Sequence, residues 1–322
     1  KNQIKKVSGH NKKMKITTAT ILLFLSFSST PVKGLTATTR FASARVAPVS
    51  WSSVSSIETR SPATAPFQHG PRIIRPELPI LYVYDHCPFC VRVRLALGIK
   101  NVKHSLHFLA NDDVVTPTKL VGKKIAPIFV LPEDNLVMPE SLDIIAKIDS
   151  DERFGLASAI LPATGRDDLK EWQKSVHGLL RVLQRPRYVA TGLLPEFQQL
   201  DGRHAYIRNH ELPPYSKQEW KGAEDFPGLA MTEKLQLYAE AMAKDPAPLL
   251  EELNCKLVEL DDILWCEHHC SEVGFSMDDI DLWSRLRSIT IVKGVQWPVK
   301  LRNYMDNIGA LGDIPLYDEM AL

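Results

Sequence analysis

The chain has 322 residues, of which 44% are hydrophobic and 24% charged, so it is not disordered throughout, and its length fits two domains. The formal net charge of +1 hides an asymmetry, because residues 1–57 contain nine Lys and Arg and no Asp or Glu. That leaves 30 basic and 38 acidic residues, a net charge of −8, in residues 58–322. An acidic body of this kind argues against non-specific binding of nucleic acid.

Residues 1–57 have the composition of a targeting presequence. Met14 is the first methionine, and a lysine and the apolar run at residues 21–25 follow it, as in a secretory signal peptide. Residues 35–57 are rich in Ser, Thr and Ala and lack acids, which is typical of a transit peptide. This order resembles the bipartite presequence of algae with complex plastids, although Arg45 stands where that class has an aromatic residue. We therefore expect a plastid location, with the secretory pathway or the mitochondrion as alternatives, and no membrane anchor in the mature form.

A Pro-rich linker at residues 58–77 is predicted to lead into a first domain at residues 78–150. Apolar runs predict strands at residues 80–84, 105–109, 126–130 and 136–138, and helical spacing predicts helices at 88–99, 116–121 and 140–148. Leu142, Ile145 and Ile148 are predicted to form the apolar face of the last helix. The order β-α-β-α-β-β-α is that of a thioredoxin-like domain.

A second, all-helical domain is predicted at residues 165–322, after a connector at residues 151–164. Its helices are expected at residues 167–182, 232–243, 247–266 and 278–292. Residues 192–230 are rich in proline and charge, and they are expected to be either a surface loop or a segment that folds back over the cleft.

The stretch DHCPFC at residues 85–90 is the predicted chemical centre. Pro88 favours the first turn of a helix, so Cys87 lies at the helix start and Cys90 one turn further on. A helix N-terminus stabilises an anion, and the pKa of Cys87 should therefore lie below the ~8.5 of a free cysteine. Cys90 can then attack a mixed disulfide formed on Cys87. The context favours a redox pair over a zinc half-site or a structural disulfide.

The remaining cysteines and a capping motif receive structural interpretations. Five cysteines at uneven spacing indicate a reducing compartment and mostly free thiols. Ser276 and Asp279 fit a helix capping box. A group of cysteines and histidines at residues 266–270 could bind metal, but no second ligand cluster completes such a site, and we expect no metal there. This group consists of Cys266, His268, His269 and Cys270.

Four stretches carry a family resemblance: LYVYDHCPFCVRVRLALGIKNV, HFLANDDVVTPTKLVGKKIAPIFV, MPESLDIIAKID and DDIDLWSRLRSITIVKGVQWPVKLRNYMDNI. They resemble the two-domain glutaredoxins of the glutaredoxin-2 type, over about residues 80–322. The resemblance implies an α/β N-terminal thioredoxin-like (glutaredoxin) domain and an all-α C-terminal domain like that of glutathione S-transferases. It also implies a glutathione-dependent thiol–disulfide oxidoreductase with glutathione as co-substrate.

The resemblance also implies roles for the residues around the two cysteines. Cys87 matches the nucleophilic cysteine and Cys90 the resolving one. Phe89 stands where the family commonly has tyrosine, which keeps the ring and loses a hydroxyl.

Four further residues match the family's glutathione-binding positions. Pro127 matches the cis-proline that faces the active site, and the backbone of Ala126, which replaces the usual valine, would pair with the cysteinyl part of glutathione. Glu140 and Ser141 match the acid–serine pair that holds the γ-glutamyl end. Physical chemistry agrees, because N–H groups at a helix start attract a carboxylate and Glu140 can pair with an ammonium group. Taken singly, these residues could instead start an edge strand or cap a helix.

Two alternative functions stay open at this point. The first is a glutathione S-transferase or dehydroascorbate reductase that uses Cys87, although conjugating enzymes usually carry Ser or Tyr there. The second is an iron–sulfur cluster carrier, which Pro88 and the second cysteine disfavour. For the leading interpretation, the expected partners are glutathione and disulfide-bonded or glutathionylated proteins, and the protein is expected to be a monomer.

Overall fold

The computed structural model describes residues 70–224 and 227–322. The predicted presequence at residues 1–57 and the first part of the predicted linker lie outside the described residues. Within the described residues, no helix is both long enough and apolar enough to cross a membrane.

The first domain consists of four strands and three helices in the predicted order. These are β1 (Ile80–Val83), α1 (Pro88–Ile99), β2 (Ser105–Phe108), α2 (Val115–Val121), β3 (Ile128–Leu131), β4 (Leu136–Pro139) and α3 (Ser141–Ser150). The strands form one sheet in the order β2-β1-β3-β4, in which β1 and β2 are parallel and the other pairs are antiparallel. The prediction of a thioredoxin-like domain is confirmed.

Helix α1 lies at the centre of the molecule. It packs against α3 on one side, and its residues from Cys90 to Ile99 are buried except for Gly98. A helix that is buried nearly all round has apolar residues on every face, and Val93, Leu95 and Leu97 are fully buried.

The predicted apolar face of α3 needs one correction. Ile145 and Ile148 are buried as expected, but Leu142 is exposed, and Ile144 takes its place in the core. Residues 141, 144, 145 and 148 have the spacing i, i+3, i+4, i+7 and so share the buried face, which Leu142 lies outside.

The second domain contains seven helices among the residues that the structure describes. These are α4 (Asp167–Thr191), α5 (Leu200–Asn209), α6 (Lys217–Lys221), α7 (Met231–Ala243), α8 (Ala247–Ile263), α9 (Met277–Leu286) and α10 (Val299–Gly312). Helix α4 packs against α7 and α8, and α9 and α10 pack against α1, so both domains belong to one unit. The expected all-helical domain is confirmed, although α10 was not predicted.

Helix α4 continues well beyond the predicted end at residue 182. Pro186 lies inside it, where a proline normally disfavours a helix. Leu183, Pro186 and Tyr188 are all buried, and this packing outweighs the local preference.

Residues 192–230 are not a surface loop; in their described part they fold back over the cleft, the second of the two expectations. They contain α5 and α6 and bury the large side chains of Phe197, Tyr206 and Trp220. The Trp220 indole N–H donates to the backbone oxygen of Ile207 at 2.8 Å, which fastens α6 to α5.

The capping box at the start of α9 is confirmed, and it explains the position of Cys270. The Asp279 carboxylate is fully buried and accepts hydrogen bonds from the backbone N–H groups of Ser276 at 2.9 Å and Cys270 at 2.6 Å. The Tyr304 hydroxyl donates to it as well, at 3.1 Å. Within the described residues, no group of three or more His, Cys, Asp or Glu side chains is arranged to hold a metal ion.

Candidate active site

Sheet topology brings the predicted site residues to one edge of the sheet. Strand β1 runs toward DHCPFC and pairs with the start of β3 through Tyr82 and Ile128. Ile128 in turn pairs with Pro139, at the end of β4. The Ala126–Pro127 peptide, which is cis, directly precedes β3, and Glu140 directly follows β4. The thiols and the predicted glutathione-binding residues therefore lie around the same strand ends.

The two thiols at the start of α1 have opposite environments. Cys87 occupies the N-cap position and is half-buried, whereas Cys90 is fully buried. A hydrogen bond from the Cys90 thiol lowers the pKa of Cys87 to about 7 against the effect of burial, helped by His86 and by the backbone N–H groups of Cys90 and Phe89. Burial, together with that same hydrogen bond, raises the pKa of Cys90. The pair thus holds one reactive thiolate and one thiol that keeps its proton.

A buried carboxylate from the second domain contacts the residue before the nucleophile. Glu196 is 1% exposed, and one of its oxygens lies 2.9 Å from the backbone N of His86 and 2.5 Å from the His86 Nδ1. The His86 ring is surrounded by Tyr188, Phe197 and Tyr206. Sequence analysis missed Glu196, because it lies in the segment after residue 192 whose helices were not predicted.

Asp85 joins the active-site loop to the second domain. Its carboxylate accepts hydrogen bonds from Arg287 at 3.1 Å and from the Tyr317 hydroxyl at 2.9 Å, and it pairs with Arg94. Arg287 also donates to the Asp85 backbone oxygen at 2.8 Å. Although burial opposes ionisation, Arg287 and Arg94 hold the pKa of Asp85 below its ordinary value.

A cleft of about 670 Å³ opens between the two domains in front of Cys87. Of the predicted site residues, Cys87, Phe89 and Ala126 line it. Phe89 is 47% exposed, and the Arg92 guanidinium lies 4.9 Å from the centre of its ring. The structure thus places a thiolate, an aromatic ring and a cis-peptide segment on one wall of an open cleft.

The other four predicted residues do not line the cleft. Cys90 lies behind Cys87 in the core, and Pro127 is buried at the start of β3. Ser141 is the first residue of α3 and is 7% exposed. Glu140 is exposed, pairs with Lys123 at 3.3 Å and has a φ of 72°, an unfavourable backbone conformation for a residue other than glycine. Such strain is concentrated at binding sites and active sites.

Known proteins match both halves of this arrangement. Residues 81–154 match the family described as glutathione S-transferase, N-terminal domain, and residues 227–321 match glutaredoxin 2, C terminal domain. Glutaredoxin 2 of Escherichia coli strain K12 is 31% identical over 243 residues, which cover 75% of this chain and 99% of the relative.

A solved structure agrees with the sequence comparison. The crystal structure of glutaredoxin 2 from Salmonella typhimurium in complex with glutathione has a TM-score of 0.62 at 31% sequence identity. The match covers 76% of this chain and all of the Salmonella chain. The extent of these matches, across both domains, shows that the chain belongs to the glutaredoxin 2 family.

Proposed function

We propose that Cys87 is the nucleophile and Cys90 the resolving cysteine of this glutaredoxin, a glutathione-dependent thiol–disulfide oxidoreductase. The observation that carries the assignment is the asymmetry of the two thiols. Cys87 faces the cleft with a lowered pKa, whereas Cys90 is buried with a raised pKa. A nucleophile must be an accessible thiolate, and a resolving thiol must stay protonated until the mixed disulfide has formed.

Reduction of a glutathione mixed disulfide needs Cys87 alone. The Cys87 thiolate attacks the glutathione sulfur of R–S–SG, a Cys87–SG bond forms, the original S–S bond breaks, and the released RS⁻ takes a proton from water. A second glutathione, as thiolate, then attacks the glutathione sulfur bound to Cys87. Oxidised glutathione, GSSG, leaves and the Cys87 thiolate returns, so the electrons that reduce R–S–SG come from glutathione.

Reduction of a protein disulfide uses both cysteines. Cys87 attacks one sulfur, and the other protein sulfur leaves as a thiol. Cys90 loses its proton and attacks Cys87, which releases the second protein thiol and forms a Cys87–Cys90 disulfide. Two glutathione molecules reduce this disulfide and leave as GSSG.

Glutathione is proposed to bind at the sheet edge beside Cys87. The backbone of Ala126, next to Pro127, would pair with its cysteinyl part, and the start of α3 at Ser141 would attract the γ-glutamyl carboxylate. Glu140 would pair with the ammonium group. The glutathione complex of the Salmonella relative supports a glutathione site in this fold.

Activity measurements on the purified protein test the assignment. Glutathione-dependent reduction of a small mixed disulfide should disappear in Cys87→Ser and persist in Cys90→Ser, whereas reduction of a protein disulfide should require both. Cys255→Ser is the matched control, because Cys255 is an exposed thiol on α8. Full activity in Cys87→Ser, or conjugation of an electrophile in place of disulfide reduction, would reject the proposal.

Residues 1–57 are proposed to direct the protein to a plastid, where it would act on disulfide-bonded or glutathionylated proteins. Composition supports this proposal, because the segment combines an apolar run after Met14 with an acid-free stretch rich in Ser and Thr. A fluorescent protein fused behind residues 1–57 should accumulate in plastids of an alga with complex plastids. Accumulation in mitochondria or in the secretory pathway would reject a plastid location.

A further inference from the structure

The helical side of the cleft carries an excess of positive charge. Four of its lining residues, here called the basic wall, are Arg181 and Arg185 on α4, Lys221 on α6 and Arg285 on α9. No Asp or Glu is among the described residues that line the cleft. This is notable in a body whose residues 58–322 have a net charge of −8. A cleft lined by one sign of charge concentrates ligands of the opposite sign.

Two carboxylates behind the basic wall offset only part of its charge. Glu211 is 7% exposed and is shared between Arg181, at 3.0 Å, and Arg185, at 3.6 Å. Asp281 is shared between Arg285, at 3.2 Å, and Arg92. Since each carboxylate serves two guanidinium groups, positive charge is left over to face the cleft.

Polar groups in the basic wall also lack partners. The Arg181 Nε and the Gln184 Oε1 are buried atoms without a hydrogen bond in the described part of the chain, and both residues line the cleft. Arg181 and Arg185 lie close enough to share the Glu211 carboxylate and so repel each other, and burial together with Arg185 lowers the pKa of Arg181. Burial and then Arg181, Arg185 and Arg285 likewise lower the pKa of His177, on the same wall. A bound anion would relieve this repulsion and give the unpaired donor an acceptor.

The basic wall is separate from the proposed glutathione site. Glutathione is assigned to the strand ends near Ala126 and Ser141, whereas the basic wall comes from α4, α6 and α9. Cys87 lines the same cleft as the basic wall. When Cys87 attacks the glutathione sulfur of R–S–SG, the group R is the part of the substrate that extends away from the glutathione site.

We propose that the basic wall binds a carboxylate on the R half of the mixed disulfide, so that the preferred substrates release an acidic thiol. This inference rests on the proposed function and names its substrate class. The chemistry of the step is unchanged: Cys87–SG forms, the substrate S–S bond breaks, and RS⁻ leaves and is protonated by water. The acidic group is either part of a small thiol or an acidic side chain next to a glutathionylated cysteine in a peptide.

Three small substrates that share a thioethyl group and differ in charge test the proposal. These are the glutathione mixed disulfides of 3-mercaptopropionate (anionic), 2-mercaptoethanol (neutral) and cysteamine (cationic). For the unaltered protein at low ionic strength, kcat/KM should fall in that order, by about three- to tenfold per step. The differences should shrink as salt is added, because screening weakens exposed charge pairs.

Variants locate the preference on the basic wall. In the double variant Arg181→Gln, Lys221→Gln, the ratio of kcat/KM between the anionic and neutral substrates should fall toward one. Lys174→Gln is the matched control, because Lys174 is an exposed cation on α4 that does not line the cleft, and its ratio should match that of the unaltered protein. If the double variant does not fold, the substrate comparison in the unaltered protein still decides the proposal.

The outcomes separate this inference from the proposed function. Equal kcat/KM on all three substrates, or an equal loss on all three in the double variant, would overturn the role of the basic wall while leaving the glutaredoxin activity in place. No activity on any substrate would reject the proposed function and the inference with it.

A second experiment compares glutathionylated peptides that have either Asp or Lys beside the cysteine. A preference for Asp identifies acidic peptide segments as the source of the carboxylate, whereas a preference confined to the small substrates identifies a small acidic thiol.

Discussion

The two walls of the cleft differ in how they contribute to the site. The sheet wall consists of the strand ends and the start of α1, and its residues all belong to the first domain. These elements place Cys87, and Cys90, three residues further on, lowers the pKa of Cys87. The helical wall works through long side chains from separate helices, which supply buried Glu196 and the basic wall. Under the two proposals above, the sheet wall determines the reaction and the helical wall selects the substrate. Four substitutions test this division.

The largest effect is expected where the two walls are joined. Asp85→Asn removes the carboxylate that Arg287 and Tyr317 contact and leaves the Arg287 guanidinium, which is 1% exposed, without its counter-charge. The free energy of unfolding should fall by about 3–5 kcal/mol, measured by urea denaturation. Asp318→Asn is the control, since its partner Arg302 is partly exposed and the loss should be about 1 kcal/mol or less. Equal losses would mean that Asp85 does not stabilise the junction.

The contact between α1 and α10 is the second test of the junction. A Cβ at Gly98 would lie 2.1 Å from the backbone oxygen of Gly312, so Gly98→Ala must push the two helices apart. We expect a loss of about 1–3 kcal/mol in the free energy of unfolding. Gly178→Ala on α4 is the matched control, because nothing lies within 4 Å of the added methyl group, and it should be neutral or stabilising. A neutral Gly98→Ala would show that this contact is loose.

The sheet wall alone is tested by Cys90→Ala. This change removes the hydrogen bond that contributes most to lowering the pKa of Cys87 from its ordinary value to about 7. In the unaltered protein, alkylation of Cys87 should reach half its maximal rate near pH 7, because only the thiolate reacts. In Cys90→Ala the midpoint should move to higher pH, so the variant reacts more slowly at neutral pH. An unchanged midpoint would show that Cys90 does not lower the pKa of Cys87.

The smallest effect is expected from His86→Asn, at the contact between the active-site loop and Glu196 of the helical wall. The Asn amide can still donate to Glu196, but the Coulombic contribution of His86, which lowers the pKa of Cys87, is lost. The midpoint of Cys87 alkylation should again move to higher pH, but by less than in Cys90→Ala, because His86 contributes less than the Cys90 hydrogen bond. A shift as large as that of Cys90→Ala would show that His86, which Glu196 of the helical wall holds in place, lowers the pKa of Cys87 as strongly as the Cys90 hydrogen bond.

The order of strands and helices in the first domain was predictable because each element carries its own signal in the chain. Apolar runs and the proline at residue 88 are local features, and Cys87 and Cys90 fall within a single short motif. The error at Leu142 shows the limit of this reasoning. Spacing predicted the helix, but more than one set of its apolar residues could face the core, and only the packing against α1 determines that Ile144 is buried and Leu142 is exposed.

The helical wall could not be predicted in the same way, because its contacts join distant parts of the chain. Glu196 lies 110 residues from His86, and only the packed fold determines that the two meet. Pro186 would end α4 on local preference alone, and it is tolerated because its neighbours are buried. The basic wall likewise draws its cations from three helices that are far apart in the chain, and only the packed fold brings them together.

The contacts of Asp85 also bear on how the protein is made. During synthesis the first domain leaves the ribosome before Arg287 and Tyr317 have been translated. Asp85 therefore initially lacks two of its hydrogen-bond donors. The hydrogen bonds that hold the loop carrying Cys87 are therefore complete only when the segment that includes residue 317 packs against the first domain. We expect the first domain alone to be a weak catalyst until that segment is in place.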